Sequence, residues 1–240
     1  DTVALDGVDL AVADGEFVVA VADGEFVAVV GLAGCEKSTL LRVLSGLGAE
    51  FGGRVAVDGT DVRDGGSDAV GMVFQEPRLL DWADVRENVV VDLPTDIDPD
   101  ALTAHERVDD LIETVGLDGF AESHPDELSG GMAQRVSLAR GLAYDPSVLL
   151  LDEPFSALGR LTKADQQDHL LDVWEARGTT VVLVTHDVEE AVCLADRVVV
   201  LGGQPGTVES VVDIDNDRPR TRADAELVAL RREVAEALGR

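Results

Sequence analysis

At 240 residues, 45% of them apolar, the chain can bury one sizeable core with a subdomain. Its 48 acidic residues against 19 basic ones give a net charge of −29, with Lys37 and Lys163 the only lysines, a balance that argues against the basic footprint nucleic-acid binding needs. No uninterrupted apolar run approaches the ~18–20 residues of a membrane span, no signal peptide opens the chain, and Cys35 and Cys193 make no disulfide framework, so a soluble or peripheral protein on the cytoplasmic side is expected.

In chain order, residues 12–18 recur as 21–27, a tandem repeat of period nine in which each copy reads as an Asp-Gly turn followed by a strand. The unit is too short for a solenoid. The copy that runs into a Gly-rich loop, residues 26–30, is expected to be core strand, and the first copy an extra edge hairpin or bulged loop. A helix follows at 37–47, then short strands around 54–57 and 69–74 between Gly-Gly and Asp-Gly turns. Residues 76–140 read as mostly helical, broken at Leu93-Pro94 and by the acidic loop 96–100. Three apolar strands, 148–151, 181–184 and 198–201, alternate with helical stretches, which predicts a mainly parallel, doubly wound core. Leu227, Leu230, Val234 and Leu238 form a stripe at helical spacing, read as a packed terminal helix.

Three segments carry chemistry. Gly31-Leu32-Ala33-Gly34-Cys35-Glu36-Lys37-Ser38-Thr39 lies between a strand and a helix, the context of a phosphate-binding loop. There Gly31, Gly34, Cys35 and Glu36 would offer backbone to phosphates and Lys37 would bridge the β- and γ-phosphates. Ser38 would ligate Mg²⁺, and Thr39 would add a hydroxyl or N–H contact. The motif asks for glycine where Glu36 stands. A carboxylate ~6 Å from a phosphate charge, at effective dielectric ~20, adds roughly 3 kcal/mol of repulsion, on the order of a hundredfold in affinity. Weakened nucleotide binding is therefore expected. The second segment, Leu128-Ser129-Gly130-Gly131-Met132-Ala133-Gln134-Arg135, is a Gly-Gly turn opening a helix, whose bare N–H groups and dipole suit an anion. The third, residues 148–154, is a buried strand ending in Asp152 and Glu153, at the tip where open α/β sheets bind ligands.

Together the latter two resemble the signature and Walker B motifs of ATP-binding cassette (ABC) ATPases, and the resemblance covers essentially the whole chain. It implies an α/β P-loop NTPase (RecA-like) fold: a mainly parallel sheet core, a small antiparallel β part and a helical subdomain. Residues 1–240 would form a single cassette, with 1–75 and 141–240 as the nucleotide-binding core and 76–140 as the helical signature subdomain. Gln75 takes the place of the Q-loop glutamine, touching Mg²⁺ or the attacking water and sensing a membrane partner. Leu79, Leu80 and Trp82 beside it would line a groove for a partner helix. Asp152 would hold Mg²⁺ through water, and Glu153 would polarise the attacking water as general base. His186 would contact the γ-phosphate. Ser129, Gly130, Gly131 and Gln134 would cap the ATP held by a second cassette, which implies a dimer. In the D-loop-like Ser156-Ala157-Leu158-Gly159, the family's aspartate is Gly159 here, which predicts slower hydrolysis. The adenine-stacking aromatic that normally precedes residues 4–10 is not in this sequence, so either lower adenine affinity or a sequence truncated at its start is expected.

Residues 75–80, 155–158 and Arg218-Pro219-Arg220 are similar to importer cassettes for nitrate, sulfonate or taurine. This implies a transport ATPase using ATP and Mg²⁺, bound peripherally at the cytoplasmic face of the membrane. Its partners would be a second cassette, two transmembrane permease subunits and an extracytoplasmic substrate-binding protein, with no nucleic acid. The alternative, motivated by Glu36 and Gly159, is a degenerate cassette that assembles but scarcely hydrolyses ATP. A DNA-repair cassette is disfavoured by the acidity and by the lack of coiled-coil heptads.

Self-repulsion of this size is tolerated where salt screens it, and the lysine depletion goes beyond acidity, so a halophilic source with a salt-rich cytoplasm is expected. The melting temperature should accordingly rise with KCl concentration; a flat or falling curve in a thermal scan would remove the idea.

Overall fold

Phe26–Gly31 form β1, buried at every position. The run reads Phe-Val-Ala-Val-Val-Gly, and such unbroken apolar character is what a strand covered on both faces requires. In this computed structural model, residues 21–32, 34–35, 37–47, 51–93, 102–204 and 206–239 are described. The first repeat copy, Glu36 and the acidic loop 96–100 lie outside the described residues. The chain divides into two units, Asp1–Val70 with Thr179–Arg240, and Gly71–Gly178.

In the first unit, β1 lies between β6 (Thr180–Thr185) and β7 (Arg197–Gly202), parallel to both. β8 (Thr207–Asp213) pairs antiparallel with β7, with a register shift between Val200 and Leu201. A second, two-stranded antiparallel sheet joins β2 (Ala56–Val57) to β3 (Thr60–Asp61). Val43, Val55 and Val62 form a small core cluster, with Leu44, Phe51 and Val57 packed on it. The helices are α1 (Lys37–Leu44), α6 (Val188–Leu194) and α7 (Ala225–Ala237). The stripe expected near the end lies in and just past α7: Leu227, Val234 and Leu238 are buried, and Leu230 is half-buried. α1 stops three residues short of the expected position because Gly46 turns left-handed (φ 68°) and Leu47 N–H donates back to the Arg42 carbonyl at 3.0 Å. The strand expected at 54–57 shrinks to two residues, and β8 is an addition to the sequence reading.

The second unit carries β4 (Val70–Val73) but for its first residue, with α2 (Val85–Val90), α3 (Leu102–Thr114), α4 (Gly130–Leu142), β5 (Val148–Asp152) and α5 (Arg160–Arg177). β4 and β5 are hydrogen-bonded neighbours. Where the sequence suggested mostly helix at 76–140, the described residues there carry three α-helices of 6, 13 and 13 residues. α2 opens on a capping box: the Asp84 carboxylate accepts from Glu87 N–H, and the Glu87 carboxylate accepts from Asp84 N–H.

Asn88 of α2 is fully buried and holds the preceding loop by four hydrogen bonds. Its Nδ2 donates to the carbonyls of Leu80, Ala83 and Asp84 (3.3, 3.0 and 2.9 Å), and its Oδ1 accepts from Leu80 N–H at 2.8 Å. Asn88→Ala leaves those backbone groups without their side-chain partner, so it should cost about 2–3 kcal/mol in urea unfolding.

Candidate functional site

The first unit holds the phosphate-loop residues and His186. Gly31 ends β1. An added Cβ there would collide with Cys35 Sγ and lie 3.0 Å from the Leu201 carbonyl oxygen, so the loop closes directly against the strand. Cys35 is buried, while Gly34 is exposed. Lys37 is the first residue of α1 and is buried; its Nζ donates to the carbonyls of Gly31 at 2.9 Å and Leu32 at 3.2 Å. The loop thus fixes a cation beside the N-terminus of a helix whose first turn carries no acid, a combination that attracts phosphate. Ser38 is exposed and Thr39 half-buried in that turn. Glu36 and Ala33 lie outside the described residues.

His186 follows β6 directly and is exposed. The register pairs Val30 with Thr185, so the loop after β1 and His186 leave adjacent parallel strands at the same end. That end is where parallel sheets place ligands. Asp187 then caps α6, its Oδ1 accepting from the N–H groups of Glu189 at 3.0 Å and Glu190 at 3.2 Å.

The second unit holds the other expected residues. Asp152 ends β5 and is half-buried; Glu153 follows with φ 45°, a left-handed conformation that side chains disfavour. Its carbonyl accepts from both N–H and Oγ of Ser156, at 3.1 and 2.9 Å. Strained backbone of this kind costs on the order of 1–3 kcal/mol and persists where a turn holds it. Ser129 caps α4, its Oγ accepting from Met132 N–H at 3.3 Å. Gly130 is exposed, and Gly131 is buried against Thr162 and Gln166 of α5. Gln134 is buried; its Nε2 donates to the Phe74 carbonyl at 3.2 Å, one residue before the exposed Gln75. Arg140 donates to the Arg78 carbonyl at 2.9 Å, so α4 holds both ends of the segment containing Gln75. The Arg78 guanidinium in turn lies 4.3 Å from the centre of the Phe74 ring. Of the expected groove residues, Trp82 is strongly exposed, while Leu79 and Leu80 are half-buried.

The sequence reading passed over Asn88, Arg78 and Arg140. All three act through backbone carbonyls or a ring stacked in the tertiary fold, so no local pattern announces them. Among the described residues no cluster of three or more His, Cys, Asp or Glu side chains could hold a metal ion.

The protein-family model described as ABC transporter matches residues 16–156. The chain belongs to this family. An aliphatic sulfonates import ATP-binding protein of Xanthomonas axonopodis pv. citri is 49% identical over 91% of this chain and 82% of its own length. One from Bacillus subtilis is 43% identical over 96% of this chain and 85% of its own. An uncharacterized ABC transporter ATP-binding protein of Methanocaldococcus jannaschii is 41% identical over 98% and 84%. A solved dimeric ATP-binding cassette, MJ0796 in a post-hydrolysis state bound to ADP and Pi, matches with TM-score 0.72 and 30% identity over 89% of this chain and 92% of that one. These matches agree with the parallel core, the small antiparallel sheet and the helical portion expected of the fold. The chain is thus an ABC cassette that binds ATP, the ATPase component of a transporter. A degenerate cassette gains no support from these relatives.

Because β1 and its loop leave no room for a methyl group at Gly31, Gly31→Ala should lower stability by about 1–3 kcal/mol and weaken ATP binding. Chemical denaturation and nucleotide titration check the two effects separately.

Proposed function

We propose that this cassette powers import of an aliphatic sulfonate or a similar small anion such as nitrate or taurine. Two copies would work as a homodimer on two transmembrane permease subunits fed by an extracytoplasmic substrate-binding protein. The cargo class is that of the relatives, which are aliphatic sulfonate import ATP-binding proteins. The subunit is peripheral at the cytoplasmic face of the membrane, and among the described residues no helix is long and apolar enough to cross a membrane.

Hydrolysis is best supported by the common end of β1 and β6, where a lysine-bearing loop and an exposed histidine leave neighbouring strands. In this reading Gly31, Gly34, Cys35 and Glu36 lend backbone to the phosphates, Lys37 neutralises the β- and γ-phosphates, and Thr39 adds a contact. His186 meets the γ-phosphate. Glu153 accepts a proton from the attacking water as general base. Ser129, Gly130, Gly131 and Gln134 meet the nucleotide of the second copy, so closure of the dimer follows ATP binding.

Mg²⁺ fits the donor chemistry: Ser38 offers a hydroxyl, Gln75 an amide oxygen and Asp152 a carboxylate, the hard oxygen ligands that ion prefers. When bound, it would neutralise charge on the β- and γ-phosphate oxygens.

Glu153→Gln tests the reading. The native chain in high KCl should hydrolyse ATP, and the variant should bind ATP but lose about 10²–10⁴-fold in turnover, the usual contribution of a general base. Size-exclusion chromatography should show the variant as an ATP-dependent dimer. Native turnover in the variant, or a monomer at saturating Mg-ATP, would overturn it.

A further inference from the structure

His186 is followed at once by a helix too short to stand alone. α6 has seven residues, and isolated helices below ~12–15 residues are marginal in water. Its last carbonyls have no partners within the helix, and two arginines from the segment after β8 take them up. Arg218 Nη2 donates to the Leu194 carbonyl at 2.5 Å. Arg220 Nη1 donates to the carbonyls of Val192 and Ala195 at 3.3 and 2.5 Å, with Nε and Nη2 on the carbonyls of Asn216 and Ile214 at 2.9 and 3.1 Å. The Arg220 side chain is only 1% exposed, and burial, with Arg218 beside it, pushes its pKa down. Two cations at a helix C-terminus also complement the helix dipole.

The other end of α6 is held from the same segment. Glu189, in its first turn, pairs with Arg231 of α7 at 2.5 Å and with Arg222 at 3.1 Å, and Arg231 also donates to the Arg222 carbonyl at 2.7 Å. From Glu189 the connection to the histidine is two hydrogen bonds long. Glu189 N–H donates to Asp187 Oδ1 at 3.0 Å, and Asp187 N–H donates to Thr185 Oγ1 at 3.1 Å, so the pair brackets His186. Of the 19 basic residues in the chain, four meet on this one short helix.

We infer that residues 214–239 act as a positioning device for His186, with Glu189, Arg222 and Arg231 setting the turn that presents the imidazole and Arg218 and Arg220 anchoring the far end of α6. Arg231 and Glu189 are thus positioning residues for hydrolysis, acting through the turn at 186–189. The inference rests on the proposed role of His186 at the γ-phosphate. The buried end is a poor place to test it, since replacing Arg220 strips carbonyls of their partners and threatens folding. The Glu189–Arg231 pair is partly exposed, with side chains 43% and 22% accessible, and its loss should leave the fold intact.

The experiment compares Glu189→Gln, Arg231→Gln and the double variant with Arg232→Gln, which removes an ion pair to Glu236 on the same helix but away from α6. His186→Gln is measured alongside. Steady-state kcat and KM for Mg-ATP are read at fixed KCl, and hydrogen exchange is read over residues 186–194. Glu189→Gln and Arg231→Gln should each lower kcat about tenfold, within the range a displaced reacting group produces, with KM little changed and faster exchange at 186–194. The double variant should be no slower than the slower single one, and Arg232→Gln should match the native chain. Native kcat in both single variants, additive losses in the double, or an equal loss in Arg232→Gln would overturn the inference. Native turnover in His186→Gln would instead sink the role of the histidine and the device with it. Loss in His186→Gln alone would sink only the device.

Discussion

A strand buried on both faces can satisfy its backbone only through its neighbours. β1 is such a strand, and the arrangement of the first unit depends on it. Its hydrogen bonds fix β6 on one side and β7 on the other in parallel register, so the chain must leave all three at one end. At the opposite end Asp196 closes the ladder: its N–H donates to the Phe26 carbonyl at 2.7 Å and its carboxylate accepts from Phe26 N–H at 3.0 Å. That register brings the Gly31 loop and His186 out of adjacent strands at the same end.

The second unit depends more on side chains that finish backbone hydrogen bonding where no strand can. Asn88 supports the loop 80–84, Gln134 and Arg140 hold the carbonyls on either side of Gln75, and Arg107 donates to the Ala143 carbonyl at 2.8 Å just past α4. Charge-assisted bonds from arginine to carbonyl are stronger than neutral ones. The Gln75 segment is therefore fastened to α4 at both ends, and the strained Glu153 is fastened through its own turn by Ser156.

β1, β5, β6 and β7 were legible because their own residues are unbroken apolar runs, and that character alone decides that they are buried strands. β8 escaped because Thr207–Asp213 mixes apolar and polar residues and becomes a strand only by pairing along β7. The reading at 54–57 overreached because Val55 is recruited to a cluster with Val43 and Val62 instead of extending a ladder. Of the residues proposed for hydrolysis, Lys37, Asp152, Glu153 and His186 each follow, end or open an element visible in the residues themselves. Asn88 and Arg140 could not be read this way, and Arg220 stood out only through its resemblance to importer cassettes, with no role read for it. Their partners are mostly backbone carbonyls, some a few residues away, as for Asn88, and some far along the chain, as for Arg140, and a carbonyl looks the same at every position of a sequence.

The buried Arg220 also bears on how a chain can become this acidic. Exchanging a solvated base for an acid changes little but surface potential, whereas a guanidinium spread over four carbonyls has no acidic or neutral substitute of its shape. An acid in place of a base is therefore tolerable on the surface and not at Arg220. Arg220 and the loop-bound Lys37 mark places where positive charge holds the backbone itself.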